Sequence, residues 1–284
     1  MAGGERMSVP INDGLYPDVS EEDYHADRDS LSSSGAKTLT TLTPQEFMAQ
    51  QLEPPNPKPQ YDFGHAAHKM VLGKGGQLVR VDARDWRTNA AKAQRERAYE
   101  LGKAPLLKAQ IEQAQRMAGK VFEHKIAAKL LESGSAEMSG YWHDDATGVR
   151  LRFRPDFLPD APRGRPIIVE YKTAASANPR RFVKAAFDYG YHQSAAWYID
   201  GLWEVTGAED AAFMFIVQQK DPPFLVSTAQ FEPEDIELGR LQNRKAIDLF
   251  AECRETGVWP GYEGIALLTF PAWMRRQIED DLTA

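Results

Sequence analysis

Hydrophobic positions along this chain switch between two periods, and the switches mark its elements. From Val149 to Asp156 apolar and polar residues alternate strictly, the period of a strand whose successive side chains point to opposite faces. Pro166 to Lys172 is apolar until its end, as in a strand buried on both sides. Ala136 to His143 reads as a further strand, turning at 144–148 into the alternating one, and 213–219 with 224–230 read as a strand pair. Helical spacing predicts helices over Tyr61–Leu72, Arg180 to about Trp203, and Glu232–Thr256. Ser32–Leu42 predicts another, and Thr43-Pro44-Gln45-Glu46 places a capping residue, a first-turn proline and a reciprocal acid at the start of the next. Residues 88–133 are rich in good helix formers of mixed charge, which predicts a solvated helical arm, split at Gly102 and Pro105, packing beside the sheet. Residues 1–30 have few apolar anchors and are expected to be a loosely ordered lead-in. The prolines between Glu53 and Pro59 predict a linker, and Trp259–Trp273 an irregular aromatic segment packed on the body. Residues 31–284 are thus expected to form one α/β domain, a central mixed sheet flanked by helices with a helical insertion at about 88–133.

The period of two also places chemistry. Arg150, Arg152, Arg154 and Asp156 fall on one face of the first strand, opposite Val149, Leu151 and Phe153. Glu170 and Lys172 share a face of the second. Two carboxylates and an ammonium therefore converge at adjacent strand ends. Carboxylate oxygens suit Mg²⁺, with Mn²⁺ as the alternative, and a lysine beside a metal-bound water can orient it or relay its proton. Glu-x-Lys alone is commonly a strand-edge ion pair, so the surrounding motifs decide.

Pro155-Asp156 followed by Glu170-x-Lys172 resembles the signature of the PD-(D/E)XK nucleases. Tyr189-x-Tyr191-His192-Gln193 through Trp197-Tyr198 resembles the glutamine helix of the RecB and lambda-exonuclease branch, and Gly64-His65-x-x-His68 its histidine helix. Tyr24-His25, Leu31 to Gly35 and Trp259-Pro260-Gly261-Tyr262 resemble the RecE (exonuclease VIII) type, often phage-encoded. The resemblance implies a restriction-endonuclease-like core. It makes His68 a metal ligand with Asp156 and Glu170, Gln193 a group orienting water or a phosphate oxygen, and Glu137 a support of the metal site. Trp197 stands where relatives commonly carry tyrosine, which opens whether Tyr198 serves instead. The implied activity is a processive 5′-to-3′ exonuclease on double-stranded DNA ends, making single-stranded tails for an annealing or recombination protein and working as a ring-like homo-oligomer. A structure-specific endonuclease and a non-catalytic end-binding protein are the alternatives.

Composition narrows this further. The lone Cys253 excludes an internal disulfide framework and a cysteine-held cluster. No apolar run approaches bilayer length and the first residues lack a signal peptide's apolar core, so a cytoplasmic protein without a membrane partner is expected, in the bacterial host if phage-encoded. The net charge of −7 does not disfavour DNA, because Arg150, Arg152, Arg154, Arg163, Arg165, Arg180, Arg181 and Lys184 gather near the motif while acids crowd the termini. The three strand arginines are expected to form a DNA-binding track.

Overall fold

The protein is described by a computed structural model covering residues 9–52, 59–160 and 164–283. Most of the proline linker and Arg163 lie outside these residues. Strand β1 (Gly14–Tyr16), α1 (Glu21–Ala26) and β2 (Leu31–Ser32) precede three helices, α2 (Ser33–Thr41), α3 (Pro44–Leu52) and α4 (Pro59–Leu72). Then come β3 (Leu78–Val81), α5 (Asn89–Glu100), β4 (Ala104–Leu107), α6 (Lys108–Glu123) and α7 (Lys125–Leu130). Strands β5 (Gly134–Ala136), β6 (Ser139–His143), β7 (Arg150–Phe153), β8 (Phe157–Pro159) and β9 (Ile167–Ala174) lead to α8 (Pro179–Asp188) and α9 (Tyr191–Thr206). The remainder is β10 (Ala212–Gln219), β11 (Val226–Ala229), α10 (Pro233–Thr256) and α11 (Ala272–Thr283).

The central sheet has five strands in the order β11-β10-β9-β8-β5. Its β9 and β10 are parallel, with Phe215 opposite Glu170 and Val217 opposite Lys172, and its other pairs are antiparallel. A parallel pair needs a crossover, which α8 and α9 supply. Alternation along β9 and β10 divides the core. Ile168, Phe213, Phe215 and Val217 pack with α2, α9 and α10 on one face, whereas Val169, Tyr171 and Ile216 pack with α4, α6 and α7 on the other. A four-stranded sheet, β1-β6-β7-β2, stands beside it. Gly140 is required in β6, because a Cβ there would lie 1.9 Å from the Phe153 ring across the strand pair.

Three expectations need correction. Residues 9–30 are not a loose lead-in. β1 pairs with β6, and Val19 and Tyr24 are buried around Tyr141, so a few aromatic and branched anchors suffice where a sheet edge is free to receive them. The region 88–133 packs beside the sheet but is not the solvated arm that its polarity suggests, for α6 buries Ala114, Met117, Ala118 and Val121. These recur at helical spacing, a stripe that the segment's mean polarity conceals. The C-terminal aromatics divide. Trp259 stacks on Phe47, centroids 5.6 Å apart, but Tyr262, Phe270 and Trp273 are exposed and α11 buries none of its residues.

Candidate active site

The site lies where the polypeptide passes from one sheet to the other. Asp156 sits between β7 and β8 and accepts a 2.7 Å hydrogen bond at Oδ2 from the backbone N–H of Tyr171 in β9. This single bond sets Asp156 beside Glu170 and Lys172. Nζ of Lys172 donates to Oε1 of Glu170 at 2.5 Å, as expected for residues sharing a strand face. From the opposite side α4 brings His68, whose Nε2 is 3.0 Å from Oδ1 of Asp156 and whose Nδ1 is 3.8 Å from Oε1 of Glu137. His65, three residues earlier, is exposed.

Glu137 reaches this group through an irregular backbone. The expected strand from Ala136 to His143 breaks after Ala136, and Glu137 takes φ 53°, the left-handed region that a non-glycine residue enters at a cost. Its N–H donates to the carbonyl of Asp156 at 3.1 Å, which holds the kink and turns the carboxylate toward His68.

The charges are mutually adjusted. Burial alone would raise Asp156, but the charges of His68 and Lys172 and the hydrogen bonds from His68 and Tyr171 outweigh it and hold the carboxyl below its usual range. Burial and then the Asp156 charge push Glu170 up, against the pull of Lys172. Burial works against protonated His68, yet Asp156 and Glu137 raise it overall. For Lys172 the two carboxylates likewise overcome burial and raise the ammonium.

One group was not anticipated. Lys37 extends from α2 toward the same place, and burial followed by the Lys172 charge lowers it to about 8, with Glu170 opposing. Lys37 and Lys172 lie 5.8 and 5.5 Å from the centroid of the Tyr191 ring. A Cβ on Gly190 would stand 3.2 Å from the Lys37 side chain, so this glycine leaves the lysine room. The available signal was the position of Lys37 behind the serine-rich entry.

The other expected site residues fare differently. Gln193 is buried on α9, where Oε1 accepts from Thr40 at 3.2 Å and Nε2 has no hydrogen-bond partner. Among the described contacts none joins it to Asp156 or Glu170. Trp197 donates from Nε1 to the carbonyl of Arg152 at 2.9 Å, a structural bond. Tyr198 is the neighbour that senses the centre, for burial and then the Glu170 charge hold its hydroxyl far above the usual tyrosine range.

The open basic track does not exist. Arg152 is 5% exposed, with Nη1 donating to the carbonyls of Asp27 and Ser30 at 2.8 and 2.6 Å. Arg154 donates to Val19 and Ser139 and lies 4.3 Å over the Tyr24 ring. Arg150 donates to the carbonyl of Pro10 and lies over Tyr141. Residues 9–30 cover the stripe and accept hydrogen bonds from all three guanidinium groups, so the polar face of this strand is an interior contact.

Among the described residues no three His, Cys, Asp or Glu side chains form a ready-made group that could hold an ion. The donors are tied in pairs instead, His68 to Asp156 and Lys172 to Glu170. Oε2 of Glu170 is buried without a hydrogen-bond partner, a costly state that a ligand would relieve. The carboxylates of Glu170 and Asp156 and the His68 imidazole, which interact electrostatically, fit a divalent cation in donor chemistry.

A family profile described as a PDDEXK-like domain of unknown function (DUF3799) matches residues 32–269. The chain belongs to this family. It is thereby a member of the PD-(D/E)XK nuclease superfamily, and its mixed α/β architecture is that of the restriction-endonuclease-like fold. A crystal structure from Eubacterium rectale, described as a candidate exonuclease, superposes with a TM-score of 0.61 at 16% identity, over 94% of this chain and 98% of that one. At that identity the likeness speaks for the fold. A second structure, SSO0001, reaches a TM-score of only 0.28 at 15% identity, over 67% of this chain and 85% of its own. No curated protein matches the sequence. Nucleases of the PD-(D/E)XK kind generally use divalent metals, in accord with the donor set here. No helix among the described residues is long and apolar enough to cross a membrane.

Proposed function

We propose that this PDDEXK-like protein is a metal-dependent deoxyribonuclease that degrades double-stranded DNA from its ends. The observation that carries this reading is the grouping of two electrostatically interacting pairs, His68 with Asp156 and Lys172 with Glu170, in which one buried oxygen of Glu170 has no hydrogen-bond partner. Asp156, Glu170 and His68 would hold the ion, Mg²⁺ or Mn²⁺, and Glu137 would keep the imidazole oriented. When bound, that ion supplies Lewis acidity and a more acidic water. The hydrogen bond from Tyr171 fixes Asp156 in place. Lys172, kept protonated by its two carboxylate neighbours, is placed to orient the attacking water or to neutralise charge on the phosphate. Lys37 adds a second cation on the same side.

The 5′-to-3′ direction, processivity and supply of single-stranded tails to an annealing or recombination partner belong to the proposal through the resemblance to RecE-like exonucleases. So does the ring-like oligomer. The test is cleavage of linear against covalently closed circular duplex, with either end labelled and Mg²⁺ present. Linear DNA should shorten progressively from the 5′ end while circles stay closed. Cutting of circles would favour the endonuclease alternative. Asp156→Ala and Glu170→Ala should abolish cleavage with the fold kept, as read by circular dichroism, and near-normal turnover by either variant would remove the assignment.

A further inference from the structure

Tyr189 and Tyr191 stand out in the sequence motif, yet the cleavage reading leaves their rings without a task. Tyr189 is 65% exposed, and its ring stacks on that of Tyr191, with centroids 5.7 Å apart and planes 23° apart. Tyr191 in turn leans on Phe182 and Phe215 of the core. The pair is therefore anchored at one end and open at the other. Gly190, with φ 61°, makes the sharp turn between α8 and α9 from which both rings project. The anchored ring is the one that Lys37 and Lys172 approach, so the stack runs outward from the carboxylate centre. On the helix leading to it Phe187 is 76% exposed, and Arg180 and Arg181 are exposed at its start.

A branched aliphatic side chain would cover Tyr191 as well as Tyr189 does. A flat aromatic ring kept open on a partner ring that two lysines approach has a different use. Every nucleobase presents a π-face to such a surface, so stacking tolerates any sequence while the cations hold the adjoining phosphate.

We propose that the Tyr189–Tyr191 stack is a binding platform for an unpaired nucleobase at the end of a DNA strand whose phosphate enters the carboxylate centre. This rests on the nuclease reading and deepens it, for it specifies the substrate as a frayed or single-stranded terminus. Blunt, tightly paired ends must then open before they engage.

The test is binding by the full-length protein, in EDTA, of an oligonucleotide with 2-aminopurine as its terminal base. Stacking quenches that fluorophore. Wild type and Tyr189→Phe should quench it on binding, whereas Tyr189→Ala should lose the quenching and bind about ten-fold more weakly. Because Tyr189 is exposed the variants should fold, which thermal melting checks. Binding without quenching, no binding by wild type, or equal affinity of Tyr189→Ala and wild type would each overturn the platform. Cleavage with Mg²⁺ is measured separately. Cleavage without quenching would discard the platform alone, and quenching without cleavage would discard the nuclease reading while the platform stands.

Discussion

Lys37 illustrates how much chemistry a single residue takes from its surroundings. Its amine is lowered to about 8 by burial and by Lys172, so it loses its charge as the pH rises through that value, well before an exposed lysine would. The groups facing it are Lys172, Glu170 and Tyr191. If it contacts the DNA phosphate, binding should weaken above about pH 8, and Lys37→Arg, charged throughout, should not show the decline. Lys37→Ala should weaken binding about ten-fold even at neutral pH, the typical worth of a hydrogen bond to a charged group. Affinity titrations on either side of that pH decide it. His68 and Asp156 make a second pH-dependent pair. The raised imidazole stabilises the fold fully below the ordinary histidine range, and this is lost as pH rises through its raised value. The depressed Asp156 carboxyl stabilises above the ordinary carboxylate range, and this is lost as pH falls through its lowered value. In metal-free buffer the stability gap between wild type and His68→Gln should therefore be widest below the ordinary histidine range and close as pH rises through the raised value. Urea melts across that range measure the gap, and a gap that grew with pH would reverse the sign of the pairing.

At the scale of elements, β7 behaves as an internal strand whose polar face, with Arg150, Arg152 and, just past its end, Arg154, is covered by residues 9–30. Arg152 is held by Asp27 and Ser30, and the side chains of Arg152 and Asp27 are 6% and 4% exposed. Arg152→Ala would leave those groups unsatisfied and should cost about 3 kcal/mol of stability, read by denaturant unfolding, while the salt dependence of DNA binding by the folded fraction stays unchanged. A flattened salt slope would mean instead that the arginine reaches phosphates. The strand pair has no slack on its other side. Gly140→Ala places a methyl inside the Phe153 ring position and should cost about 1–3 kcal/mol through overpacking, visible in the same unfolding measurement.

At the scale of the whole molecule, the segment after Gly261 stands apart. Leu267 and Leu268 are 94% and 91% exposed, and α11 buries nothing. A helix of that length is marginal alone in water, and removing residues 264–284 should leave the thermal midpoint of the remaining chain unchanged. If the segment joins subunits of the proposed ring, light scattering should show the full chain as an oligomer and the shortened chain as a smaller species. A full chain of monomer mass, with and without DNA, would dismiss the ring.

What the sequence determined by itself was whatever depends on spacing along the chain. The period of two put Glu170 and Lys172 on one face of β9, the run of apolar residues made that strand central, and Thr43 with Glu46 capped α3 as written. The motif spacing also picked out His68, which the fold carries to within 3.0 Å of Asp156. Tertiary structure alone decided what depends on which surface lies opposite. The alternation that marked the arginine stripe could not say whether water or residues 9–30 would cover it, because both provide hydrogen-bond acceptors. Nor could local pattern reveal that Glu137 leaves the strand region at φ 53°, since its N–H is held by the carbonyl of Asp156, distant in sequence. Lys37 became part of the site for the same reason. Its altered amine is a property of the buried space it shares with Lys172 and Glu170, and that space exists only once α2 is laid beside the sheet.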